Sequence, residues 1–149
     1  MRPIDIVPPK WALFYLLIGL VLHFFWLLAG WIQFSAPLLG MILLGLGFGL
    51  MTWAWLLFKS KETAVHPHEE STAFVQEGPY HFTRNPMYLG ITLILTGIAF
   101  FLGTFPAFLI PLAFFLTLNV TFIPYEEEKM GEKFGKEYLN YKDRIRRWL

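Results

Sequence analysis

The sequence predicts an all-α, polytopic membrane protein with about four transmembrane helices and a C-terminal amphipathic helix, on three observations. Of 149 residues, 56% are hydrophobic and only 15% charged, where soluble domains carry roughly a quarter. Apolar runs of close to 20 residues recur, the length a helix needs to cross a hydrocarbon core of about 30 Å. Every Lys, Arg, Asp and Glu falls before Trp11, between Lys59 and Arg84, or from Glu126 onward. A net charge of +1 leaves no footprint for nucleic acid. The absence of cysteine removes disulfides, thiolate metal ligands and cysteine nucleophiles together, and no metal is expected.

The chain reads as one membrane-embedded domain over 1–149. Met1 to Lys10 is a polar lead with Arg2, Asp5 and three prolines. The first span is expected at 11–30, with Trp11 and Trp31 as interfacial anchors and His23 as its one ionisable group. Its apolar run exceeds the 7 to 15 residues or so of a signal peptide, and a second run follows closely, so cleavage is not expected. A neutral His23 bonded to a neighbouring helix is the bland reading, and a functional histidine the sharper one. The second span, 37–58, carries glycines at 40, 45, 47 and 49. Gly45 and Gly49 lie one turn apart, a spacing that admits a close helix, by default within the chain and alternatively in a homodimer.

Residues 59–86 form the one long polar loop. The third span, 87–102, follows Pro86, well placed at a helix start because its missing N–H has no partner there. Gly103 and Thr104 make a tight hairpin before the fourth span, 105–123, in which Asn119 is expected to bond another helix, with a substrate contact as the alternative. From 126 to 149 Met130, Phe134, Tyr138, Tyr141, Ile145 and Trp148 recur every three or four residues, an amphipathic helix with a basic opposite face. That face suits anionic headgroups, or for the last residues simply water.

With four spans, all charges lie on one side, and the lysines and arginines mark it as cytoplasmic, so both termini and the polar loop face the cytoplasm of an inner membrane. Two polar clusters then share that face: Gly78 to Gly90, holding Tyr80, His81, Arg84, Asn85 and Tyr88, and Tyr125 to Glu128. A guanidinium can grip a carboxylate or phosphate, a carboxylate can accept an amino group or hydroxyls, and tyrosine rings can stack on a base or face a cation. Together they describe a site for a zwitterionic, nucleotide-like cofactor. The bland alternative has Arg84 snorkelling to lipid phosphate and the glutamates favouring a helix dipole.

These residues carry a resemblance. Gly78-Pro79-Tyr80, Arg84-Asn85-Pro86-x-Tyr88-x-Gly90 and Glu126-Glu127-x-x-Met130-x-x-x-Phe134-Gly135-x-x-Tyr138-x-x-Tyr141 resemble the C-terminal signature of the isoprenylcysteine carboxyl methyltransferase and phospholipid methyltransferase superfamily. The likeness covers roughly residues 63 to 149. It implies an integral membrane enzyme that is surrounded by membrane lipids, binds S-adenosylmethionine on the cytoplasmic side, releases S-adenosylhomocysteine, and accepts from the bilayer a lipophilic methyl acceptor, an isoprenylcysteine-like carboxylate, a lipid amine or a thiol. Carried over residue by residue, it puts Tyr80, Asn85, Pro86, Met87, Tyr88 and Glu126 against the cofactor, with His66 and Val75 in a loop that closes over it. Arg84 and Glu127 are the expected catalytic pair, Glu127 or one of His66, His68 and His81 accepting a proton if the acceptor is an amine. Asn85 stands where many relatives have histidine. Phe122 stands where relatives acting on prenylated cysteine have an arginine for the substrate carboxylate.

Two other classes remain open on the sequence. Membrane sterol reductases share a related signature and bind a nicotinamide dinucleotide, although with many more spans than this length provides. A non-enzymatic membrane protein would use the same clusters only to anchor helices.

Overall fold

The computed structural model describes residues 7–29, 34–61 and 74–149. The described residues hold five α-helices and no strand: α1 Pro8–Leu28, α2 Pro37–Ser60, α3 Pro86–Leu102, α4 Phe105–Thr117 and α5 Ile123–Arg144. Four of the five carry proline at the first or second position of an apolar run (α1 to α4), where its fixed φ is already helical. Among the described residues α1, α2 and the helical stretch that begins with α4 are long and apolar enough to cross a membrane, and α3, where the third span is expected, is a shorter apolar helix.

In space the helices run α2, α3, α4, α1, so that α3 is sandwiched between α2 and α4. Lipid offers apolar helices no hydrophobic reason to associate, and close approach of backbones takes its place. The contact between α2 and α3 is built from two glycine pairs. A Cβ at Gly47 would lie 2.6 Å from the Gly90 carbonyl oxygen, and one at Gly40 would lie 2.8 Å from that of Gly97. Gly40 and Gly47 are two turns apart, as are Gly90 and Gly97, which sets an antiparallel register. The expectation that Gly45 and Gly49 serve this approach is corrected: nothing lies within 4 Å of a Cβ at either, because a spacing of seven, not four, lines up with the glycines of α3.

On the other side α1 meets α4. Gly19 lies against Ile110, and Tyr15 shares a 2.7 Å hydrogen bond with Thr117. His23 Nδ1 lies 2.9 Å from the hydroxyl of the buried Thr104, the bland reading of that histidine. The two uncharged connections meet at the same end, where the Phe34 N–H donates to the Gly103 carbonyl at 2.7 Å. The large side chains left exposed, among them Leu13, Leu17, Val21 and Phe24 on α1 and Leu38, Met41, Leu46 and Phe48 on α2, are apolar, as a lipid-facing surface requires.

The passage from span to amphipathic segment differs from the expected break near residue 124. Helical structure continues from Phe105 to Arg144 through a π-helical turn at Leu118–Phe122. Pro124 removes one backbone hydrogen bond and presses on the preceding turn, and the wider π turn just before it absorbs that strain. The apolar, spanning part ends at Ile123. The sharp change of direction comes instead at Gly135, whose φ of 54° and ψ of −127° belong to glycine alone. The amphipathic segment is therefore two helical pieces ending at Arg144, with 145–149 non-helical, rather than one helix over 126–149.

Leucine at Gly47 must push α2 off α3, and the expected cost is about 1–3 kcal/mol. Thermal unfolding in detergent should show Gly47→Leu well below the parent protein and Gly45→Leu close to it; equal losses would refute the glycine register.

Candidate functional site

The turn that precedes α3 is shaped by three residues. Gly78 adopts φ 59° to open a 3₁₀ turn, Pro79 continues it, and Tyr80 is driven into the protein. Tyr80 joins Val75 and Ala54 in a small core to which Leu57, Phe58 and Met87 add, its ring centroid 5.3 Å from that of Phe58. Asn85 then occupies the cap position of α3 and Pro86 its first turn. Asn85 does not cap the helix with its side chain; its amide donates instead to the carbonyl of Arg147 at 2.9 Å.

One turn into α3, the Tyr88 hydroxyl donates to a carboxylate oxygen of Glu126. This contact joins the two polar clusters, 38 residues apart in sequence. Burial is the largest influence on the Glu126 carboxyl and pushes it up to about 7, against the opposing bond from Tyr88 and the charge of Lys129. Tyr80 is raised as well, chiefly by burial and then by the nearby Tyr141 and Glu126.

Glu127, its neighbour, is buried and faces three cations. Arg147 grips both of its oxygens, Nε to Oε1 and Nη2 to Oε2, each at 3.0 Å. Lys142 Nζ lies 2.9 Å from Oε2, and Arg84 Nη1 lies 3.0 Å from Oε1. Burial alone would raise the Glu127 carboxyl, but the hydrogen bonds from Arg147 and Lys142 and the charges of Arg84 and Arg147 outweigh it and hold it below the usual carboxylate range. Along a straight helix Lys142 would stand about 22 Å beyond Glu127. The bend at Gly135 brings it back. It also carries Tyr141 to Tyr80, where the Tyr141 hydroxyl donates to the main-chain carbonyl at 2.6 Å.

Arg84 is the least satisfied of these groups. Its Nη1 has an ionic neighbour in Glu127 without hydrogen-bond geometry, and both Nε and Nη1 are buried with no hydrogen-bond partner among the described residues. Donors of that kind fit an incoming carboxylate.

Of the expected site residues, Val75, Tyr80, Arg84, Asn85, Pro86, Met87, Tyr88, Glu126 and Glu127 come together at the charged end of the bundle. His66 and His68 lie outside the described residues. His81 is exposed against Phe82. Glu128 is exposed as well, as its reading as a helix-end charge predicts. Arg147, Lys142 and Thr83 were not anticipated as site residues, and Asn119 bonds to Arg147 and Trp148 rather than to another spanning helix. Arg147 sits in a run of three arginines within four residues, and nothing in that run distinguishes the one that turns inward.

Glutamine at Glu127 leaves three cations facing a neutral group, and losses of the order of 3–5 kcal/mol accompany such unpairing at a buried pair. A carboxyl depressed in the folded protein stabilises it above the ordinary glutamate value near 4.3, and that contribution is lost as pH falls through the lower folded value. Acid unfolding of the parent protein should therefore contain a component that Glu127→Gln lacks, alongside a lower melting temperature for the variant at neutral pH. Unchanged melting and acid sensitivity would remove Glu127 from this role.

A 63-residue stretch of the chain, 42% of its length, is 43% identical to the whole of an uncharacterized protein from Haemophilus influenzae. No solved structure matches. The family model for phospholipid methyltransferases matches residues 35–137, from the start of α2 to just beyond the Gly135 bend. With most of its length inside that match and an all-helical membrane fold around it, the chain belongs to the phospholipid methyltransferase family, within the isoprenylcysteine carboxyl methyltransferase-like superfamily.

Proposed function

We propose that the protein transfers a methyl group from S-adenosylmethionine to a lipophilic acceptor, at the cytoplasmic face of an inner membrane. The observation that carries this reading is the Tyr88 to Glu126 contact, which sets a carboxylate near Tyr80; on the turn just before α3, Nε and Nη1 of Arg84 are buried without a hydrogen bond among the described residues. Those groups are complementary to a zwitterion. Glu126 would accept from the α-amino group, Arg84 would donate to the carboxylate, and Tyr80 with Phe58 would offer ring faces to the base or the positive sulfur. The orientation rests on charge: the lysines and arginines of the described residues beyond α2 gather at the end of the bundle that holds the site.

When bound, the cofactor supplies a methyl already activated by its sulfonium. What remains for the protein is to hold an acceptor about 3 Å away, in line and shielded from water, and orientation of this kind contributes several kcal/mol. Tyr88 and Glu126 fix the donor side. The Val75, Tyr80 and Met87 core excludes water from behind. Glu127, held ionised by three cations, is an anchor for Arg84 rather than a proton acceptor. A neutral amine acceptor would become an ammonium on methylation and release its proton to interfacial water, whereas an ionised carboxylate or thiolate has no proton to lose.

Calorimetric titration of the detergent-purified protein should give S-adenosylmethionine and S-adenosylhomocysteine affinities on the order of micromolar and none for NADPH. Tyr88→Phe and Glu126→Gln should each weaken both by roughly ten-fold, the worth of a charge-assisted hydrogen bond. Because Glu126 must be ionised to accept from an ammonium, affinity should rise as pH passes upward through about 7. NADPH binding in place of both adenosyl ligands would move the chain to a reductase, and no binding of any would favour a non-enzymatic role.

A further inference from the structure

We propose that Arg147 is a positioning residue of the methyl-transfer site, holding Tyr88 and Glu126 in register through Asn85 and Glu127. The inference rests on the cofactor reading above and touches no ligand directly.

Beyond Arg144 the chain leaves the helix, with Ile145 extended at φ −111° and ψ 129°, and returns across the turn before α3. Its main chain is used at once. The Arg84 N–H donates to the Arg146 carbonyl at 3.0 Å, and the Arg147 carbonyl accepts from the Thr83 hydroxyl at 3.1 Å and the Asn85 amide at 2.9 Å. The Arg147 side chain is spent just as fully. Nε and Nη2 hold Glu127, and Nη1 donates to Asn119 Oδ1 at 3.0 Å. Trp148 anchors the next position, its ring 4.7 Å from Phe115 and its indole N–H 3.4 Å from the same Asn119 oxygen.

Both partners of the Tyr88 to Glu126 contact are thereby held from one place. Asn85 stands at the start of α3, one turn before Tyr88, and is tied to the Arg147 carbonyl, and Glu127 is the neighbour of Glu126 at the start of α5. The other two arginines of the run do neither: Arg144 donates to Asn140 on its own helix, and Arg146 contributes only a carbonyl while its side chain is exposed. A basic tail lying on headgroups would not need a bidentate grip on a buried carboxylate. A lysine could not reproduce it, since one ammonium cannot span both Glu127 oxygens and the Asn119 amide in a plane.

The experiment compares the full chain with Arg147→Ala, Arg147→Lys, Asn119→Ala and Arg144→Ala, measuring S-adenosylmethionine affinity and melting temperature on each. The expected pattern is an affinity loss of about ten-fold or more for both Arg147 variants. Arg144→Ala should match the parent, and Asn119→Ala should fall between. Lysine should recover melting temperature toward the parent without recovering affinity. Affinity that recovers together with stability would mean Arg147 acts only on folding and would overturn the inference, as would parent-like affinity in Arg147→Ala. If Arg147→Ala does not fold, the lysine and Asn119 variants decide by the same split. A parent protein that binds no S-adenosylmethionine would instead overturn the cofactor reading, and this inference with it.

Discussion

The structure at the charged end depends on one buried carboxylate. Glu127 costs several kcal/mol in a poorly solvated position unless cations face it, and three do. They come from three separate pieces of chain: Arg84 from the turn before α3, Lys142 from the far half of α5, and Arg147 from the extended segment beyond. Satisfying one group therefore folds three segments onto one another. The requirement also explains the glycine at 135, because only a reversal of α5 can bring a residue fifteen positions on back to its own first turn.

The membrane sets the other half of the geometry. At 17 residues α3 is about 26 Å long, short of a hydrocarbon core near 30 Å, so one end of it meets the interface early. Glycine pairs hold it against α2, and the hairpin at Gly103 puts α4 against its other side. With α3 held from both sides, its first turn and the first turn of α5 open at one level, and Tyr88 reaches Glu126. Backbone groups at that depth cannot be left bare. The Arg84 N–H and the Thr83 and Asn85 side chains, in the irregular turn just before α3, are satisfied by carbonyls of the returning segment.

Much of this was legible in the sequence because lipid imposes long apolar runs. The spans, their approximate limits and the gathering of charge at one end follow from hydropathy, and the spacing within Arg84-Asn85-Pro86-x-Tyr88 and Glu126-Glu127 followed a superfamily signature. What was not legible depends on choices among equivalents. Four glycines in α2 offer two possible faces, and only the sequence of α3, read in antiparallel register, selects Gly40 and Gly47 over Gly45 and Gly49. The change from apolar to charged residues separated a fourth span ending at 123 from an amphipathic helix starting at 126, yet a π turn carries the helix through. Arg144, Arg146 and Arg147 are chemically alike, and the one that turns inward is decided by where α5 ends.

The same end of the bundle bears on the acceptor. Phe122, at the position where the resemblance puts an arginine in relatives that act on a prenylcysteine carboxylate, is packed into the main core with almost no exposure. A guanidinium does reach that neighbourhood, since Arg147 donates to Asn119 one turn away on the π segment. Its three nitrogens are already committed to Glu127 and Asn119, so it offers an acceptor carboxylate little beyond net charge. Specificity for a carboxylate needs donors left waiting for it. Among the described residues, the buried side-chain donors without a hydrogen bond belong to Arg84, which the proposal assigns to the cofactor, and the proposed reaction is accordingly better matched to an acceptor held by its apolar part than to one held by an acidic group.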